Sequence, residues 1–154
     1  LRPGTENMPA IAGAAEAVRI VERMREKEHK RLSGIREFFL AFLASALPKN
    51  AYQVNGGGEI VPHITNISFI GCGAEEILFR LDAAGISVGT KSACQSEDEG
   101  LSYVVKALGD THDASGAVRF SFGRSTTRAD ISRIVRATKA AHALSSVPIL
   151  KSNF

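Results

Sequence analysis

A thiol set among small and charged residues is the first group in this chain able to do covalent chemistry. Cys94 lies in SVGTKSACQSEDEG, residues 87–100. The composition of that stretch reads as a solvated loop, whereas cysteines that serve packing sit in apolar runs. A nucleophilic thiol needs access and some stabilisation of its thiolate. Lys91 and nearby backbone N–H groups favour the thiolate, and Glu97, Asp98 and Glu99 oppose it. Residue types alone therefore leave a reactive thiol and an incidental surface cysteine both open. Cys72, in FIGCGAEE, lies at a predicted strand end between two glycines and reads as a small, partly buried apolar group. The two cysteines lack CxxC spacing, which argues against a disulfide framework and a zinc knuckle.

Arg119 interrupts the otherwise apolar AVRFSFG. Its guanidinium must reach solvent at an edge or meet an anion, and its planar fork suits a carboxylate. A structural ion pair and a ligand site both satisfy that pattern. His29, His63, His112 and His142 show no spacing that would pair two of them on one face around a metal. Each reads as a solvated or capping residue.

These groups need a frame. From Pro9 to Leu47 the apolar residues, among them Ile11, Val18, Val21, Leu32, Ile35, Phe39 and Leu43, recur at three- and four-residue steps, which predicts an amphipathic helix. Asn7 caps its start and Pro48 closes it. The length exceeds the usual globular range, so Gly34 marks a bend or a break into two, and such a helix suits a link between domains. After NGGGE, the β-branched HITNISFI predicts a strand, with a further possible strand near YQVN. GCGAEEILFRLDAAG predicts a short helix with acids in its first turn and Gly85 as its stop. ISVGTK predicts a second short strand leading into the Cys94 loop, and LSYVVKALG a helix ending at Gly109. AVRFSFG predicts a buried strand, and TTRADISRIVRATKAAHAL a final helix opened by Thr127 and Asp130 in capping-box-like spacing. The fold class is α+β, a long amino-terminal helix followed by a small sheet covered by helices.

The chain has 154 residues, 44% of them hydrophobic, which suits one domain with its own core. The net charge of +3 arises largely in RIVERMREKEHKRLSGIRE and GRSTTRADISRIVRATK. Acids are interleaved there and stacking aromatics are absent, so both read as solvated helix faces rather than a nucleic-acid surface. No apolar run approaches the roughly 20 residues that span a bilayer, and no secretory pattern opens the chain, which together read as cytoplasmic. The opening LRPGTENMPA has no initiator Met and starts inside what reads as a structured turn, as a piece of a longer protein would.

Three stretches, RPGTENMPAIAGAAEA, PHITNISF with GAEEILFRLDAAGISVGTKSAC, and VRFSFGRSTTRADI, resemble in order and spacing the carboxy-terminal part of cysteine desulfurases, pyridoxal-phosphate enzymes of the class V aminotransferase group. The similarity reaches to about residue 145. The resemblance implies the small, carboxy-terminal domain of a fold-type-I pyridoxal-phosphate enzyme over residues 1–154, without the amino-terminal cofactor-binding domain. It implies that Cys94 takes sulfur from L-cysteine as a persulfide, releasing L-alanine. It further implies that Arg119 grips the substrate carboxylate and that Thr5 reaches the cofactor phosphate of the partner subunit in a homodimer. The implied partner is a sulfur-acceptor protein such as an iron–sulfur scaffold, with no membrane and no direct nucleic acid. Where the family commonly has S-G-S-A-C, this chain has GTKSAC, so Lys91 replaces a small residue. The family's cofactor-bearing lysine belongs to the amino-terminal domain, so the resemblance implies no tightly bound pyridoxal 5'-phosphate and no activity in this chain alone. Two other readings stay open: a cofactor-free thiol module that carries persulfide or senses oxidation, and a structural domain of a related class V aminotransferase.

Overall fold

The structure, a computed structural model, describes residues 4–90, 102–109 and 115–145. The chain divides into two units, Leu1–Arg31 and Leu32–Phe154. Helix α1 (Met8–Ala46) supplies the first unit with its amino-terminal part and the second with the remainder.

In the first unit, the Asn7 side-chain oxygen accepts the Ala10 N–H at 3.1 Å, the cap expected from the sequence. The interleaved charges pair along the helix, Arg19 with Glu16 at 3.0 Å and Arg25 with Glu22 at 3.2 Å. Met8, Ile11, Val18 and Val21 are exposed.

In the second unit, α1 runs through Gly34 as one helix, so of the bend or break expected there the break does not occur. Ile35, Phe39 and Leu43 are buried on one face of this segment. Their burial outweighs the roughly 1 kcal/mol that a mid-helix glycine costs relative to alanine. Strands β1 (Tyr52–Asn55), β2 (Ile64–Phe69) and β3 (Ala117–Ser121) form an antiparallel sheet in the order β1-β2-β3. One face, carrying Ile67, Phe69, Val118 and Phe120, is buried. Phe39 of α1 reaches Phe120 at 5.1 Å between ring centroids and Phe122 at 5.3 Å, and Phe69 stands edge-on to Phe120. Helices α2 (Ala74–Ala83) and α4 (Arg128–Ser145) add Ile77, Leu81, Ile131 and Val135 to this core. Helix α3 (Tyr103–Lys106) is one turn, capped by Ser102 and pinned by buried Val105. The architecture is the expected α+β.

Helix α2 stops where its sequence said it would. The Ile86 N–H bonds to the Leu81 carbonyl at 2.9 Å and the Gly85 N–H to that of Asp82 at 2.8 Å, a Schellman turn with Ile86 and Leu81 both buried. Arg133 of α4 donates to the Ala84 carbonyl at 2.7 Å, and Arg80 of α2 bonds both Glu76 and Ser145. The turn also explains why ISVGTK is not the strand its residues suggested. Its first N–H is committed to ending α2, and Gly89 offers no side chain to pack. Among its described residues only Gly89 pairs, as an isolated bridge to Arg119.

Gly116 is required by space. Its carbonyl accepts the Phe69 N–H at 3.0 Å, and a Cβ on it would fall on the Phe69 carbonyl oxygen and lie 2.9 Å from that of Cys72. The obstructing atoms are backbone and cannot rotate away. Gly116→Ala should therefore destabilise the fold by about 1–3 kcal/mol in chemical denaturation; an unchanged midpoint would mean that the β2–α2 turn yields.

The α4 capping box is present, with Asp130 in the acidic position. The Asp130 carboxylate accepts the Thr127 hydroxyl at 2.7 Å and the Thr127 N–H at 2.9 Å, while the Thr127 oxygen accepts the Asp130 N–H at 3.2 Å. The Thr127 hydroxyl first, then its N–H, holds the Asp130 carboxyl below the usual range. A depressed folded-state pKa contributes stability above the unfolded value of about 3.9, and that contribution is lost as pH falls through the folded value. Stability measured across this interval should fall less steeply for Asp130→Asn than for the native chain; equal slopes would remove Asp130 as a source of acid sensitivity.

Candidate functional site

Strand β3 alternates, so burying Val118 and Phe120 places Arg119 on the opposite, exposed face. The same face of β2 carries Asn66 and Ser68. Asn66 stands directly across from Arg119, and Asn55 of β1 directly across from Asn66. The Asn55 amide donates to Asn66 Oδ1 at 2.7 Å and to Ser68 Oγ at 2.8 Å. Asn66 is thereby oriented by its neighbour, with its own amide N–H groups remaining as donors on this face.

The backbone groups of Arg119 turn away from β2. Its N–H donates to the Gly89 carbonyl at 2.6 Å and its carbonyl accepts the Gly89 N–H at 3.1 Å. Arg119 and Asn66 are therefore a non-hydrogen-bonded antiparallel pair, the type whose side chains lie closest. The guanidinium leans over Gly89, with Nη2 2.8 Å and Cζ 3.3 Å from where a Cβ would stand. The ion pairs seen among the described residues, such as Arg31 with Glu28 and Arg80 with Glu76, do not include Arg119. The structural-ion-pair reading thus finds no partner there, and the fork is available to an anion of carboxylate geometry.

Thr5 belongs to the first unit. It is exposed, just ahead of the Asn7 cap, and lines a concavity of about 590 Å³ with Gly4, Glu6, Asn7, Ala10 and Ile11 at the start of α1. A helix amino terminus favours an anion, and the Glu6 carboxylate beside it opposes one. Arg119 belongs to the second unit, and each residue is described within its own. Cys94 and Lys91 lie outside the described residues, as does His112.

Cys72 is 3% exposed and part of the core, more deeply buried than its sequence context suggested. His29 and His63 are exposed, whereas His142 is half-buried, its ring 6.3 Å from that of Phe69. The sequence reading overlooked Asn55, Asn66 and Gly89. Two signals pointed to them: Asn66 has the parity of the non-core side of β2, and a glycine in a strand-like run marks a close backbone approach.

The family model for class V aminotransferases matches residues 1–134. A cysteine desulfurase of Sinorhizobium fredii is 33% identical over 140 residues, covering 90% of this chain and 36% of the relative. The cysteine desulfurase NifS of Azotobacter vinelandii is 32% identical over 136 residues, covering 88% and 34%. Among solved structures, a NifS-like protein superposes with a TM-score of 0.75 at 23% identity, over 94% of this chain and 36% of that one. A NifS-like protein from Rickettsia africae gives 0.74 at 22%, over 92% and 36%; both structures speak to the fold. The chain spans about a third of the length of the curated relatives it matches. With the family model matched over most of its length, this chain belongs to the class V aminotransferase family, and the relatives it matches there are cysteine desulfurases.

Proposed function

We propose that this chain is the small domain of a cytoplasmic, homodimeric cysteine desulfurase, which moves sulfur from L-cysteine to Cys94 and then to an acceptor protein for iron–sulfur cluster or other sulfur-cofactor synthesis. The observation that carries this reading is Arg119, a guanidinium with no carboxylate partner among the described residues. It stands on the polar face of the sheet and bonds through its backbone to Gly89, from which the chain continues toward Cys94.

In this reading Arg119 holds the carboxylate of L-cysteine by two parallel N–H bonds, and Asn66 flanks it without cancelling its charge. The Cys94 thiolate forms an S–S bond to the substrate sulfur as the substrate C–S bond breaks. The carbon keeps the electron pair, takes a proton and leaves within L-alanine. Pyridoxal 5'-phosphate, when bound, supplies the electron sink for this chemistry. Thr5 would contact its phosphate from the partner subunit's side.

The residues here fit the anions of such a site better than the covalent link to the cofactor. The described lysines, Lys27, Lys30, Lys49, Lys106 and Lys139, are all exposed. The large cofactor-binding domain that the reading requires is not within these 154 residues. Exposed Met8, Ile11, Val18 and Val21 support a role for this part of α1 in meeting it.

Two measurements test the reading. In the intact desulfurase carrying this chain, incubation with pyridoxal phosphate and L-cysteine should add the mass of one sulfur atom, and Cys94→Ser should abolish the gain. No gain in either protein, with cofactor bound, would point to a class V enzyme of other chemistry. The 154-residue chain alone should show no saturable spectral change on pyridoxal phosphate titration and form no alanine from cysteine; either signal would overturn the assignment of the cofactor site to another domain.

A further inference from the structure

We propose that Gly89 is a positioning residue for Arg119, its missing side chain being the seat on which the guanidinium rests. The inference rests on the reading of Arg119 as the carboxylate-binding group. Gly89 and Arg119 exchange both backbone hydrogen bonds, at 3.1 and 2.6 Å. In such an antiparallel pair the two residues project to the same side, so any side chain at 89 would rise beside that of Arg119.

The space it would need is taken. The three nearest atoms to a Cβ at 89 are all from the Arg119 side chain: Nη2 at 2.8 Å, Cζ at 3.3 Å and Nε at 3.6 Å. The end of the side chain lies closest, so the guanidinium itself covers the glycine. The glycine is not needed for its backbone freedom, since Gly89 is absent from the positive-φ glycines among the described residues. Space is the constraint, and the atoms that define it belong to the far end of a flexible side chain. A methyl group at 89 would therefore displace the guanidinium and leave the sheet in place, unlike a methyl group at Gly116, which meets backbone.

The direction of the displacement matters for chemistry. On the other flank of β3 stands Asn66, held by Asn55. With its seat closed, the fork must swing off the bridge side, toward Asn66 or into solvent. The carboxylate site would then move away from Gly89, from which the chain runs on to Cys94. Gly89 thus sets where the carboxylate is held relative to the start of the thiol-bearing segment.

The test has two readouts. In the isotopically labelled 154-residue chain, Gly89→Ala should shift the Arg119 Nε–Hε resonance, with other backbone amide resonances beyond the bridge unchanged. In the intact desulfurase, Gly89→Ala should raise KM for L-cysteine by about tenfold with a much smaller change in kcat, a partial loss of one charge-assisted bond. It should add little in an Arg119→Ala background. If Arg119→Ala raises KM while Gly89→Ala and Gly89→Val do not, the positioning role is overturned and the carboxylate reading stands. If Arg119→Ala leaves KM unchanged, the carboxylate reading fails, and the Nε–Hε resonance alone decides whether Gly89 seats the guanidinium. Should Gly89→Ala weaken the fold, Arg119→Ala should restore it; failure to do so would show that the alanine meets something other than the guanidinium.

Discussion

The alternation of side chains along β3 is the constraint on which the rest of the second unit depends. Val118 and Phe120 must face the core, where Phe120 meets Phe39 of α1 and Phe69 of β2. With a period of two, Arg119 cannot follow them and takes the other face. The same parity in β2 buries Ile67 and Phe69 and sends Asn66 to the side of Arg119. The polar face is thus a consequence of how the core packs. A close-packed core in turn gives the guanidinium a fixed base, which loop residues would not provide.

The second consequence lies at the open edge of β3. The backbone N–H and carbonyl of Arg119 point away from β2, and Gly89 satisfies both. Among the described residues the pairing is one residue long, and the segment before it closes α2 through the Ile86 N–H. The bridge fixes Gly89 beside Arg119, so the register of one residue pair links the guanidinium to the sequence that precedes Cys94.

Much of this was legible in the residues, for reasons that differ from element to element. The long helix, the α2 stop and the α4 capping box rest on local signals: apolar spacing, a glycine after the last periodic residue, and Thr127 with Asp130. Gly34 does not break the helix because glycine's local cost is small beside the burial of Ile35, Phe39 and Leu43, and burial depends on what the helix meets. ISVGTK misled for a related reason. Its β-branched residues suit a strand, but its first N–H is needed elsewhere, and composition carries no record of that competition. Arg119 was visible as a charge in an apolar run. Its partners Asn66 and Gly89 became visible only once register set them across from it, since pairing between strands distant in sequence is a tertiary fact. Cys94 was read from its neighbours in sequence and lies outside the described residues.

That no described acid pairs with Arg119 also has a local cause. Arginines on the helices find acids three or four residues away, as Arg31 does with Glu28 and Arg80 with Glu76. On a strand the same-face neighbours are two residues away along the chain and directly across on the adjoining strands. For Arg119 these are Ala117, Ser121, Asn66 and Gly89, and all four are uncharged. An acid at any of them would pair with the guanidinium internally and reduce its attraction for an external carboxylate. An amide at 66, turned by Asn55, supplies donors beside the charge while leaving that charge intact. The absence of side-chain bulk at 89 lets the fork lie over the glycine, and among the described residues no acid pairs with it. One feature is steric and the other electrostatic, and the proposed carboxylate-binding role of Arg119 requires both.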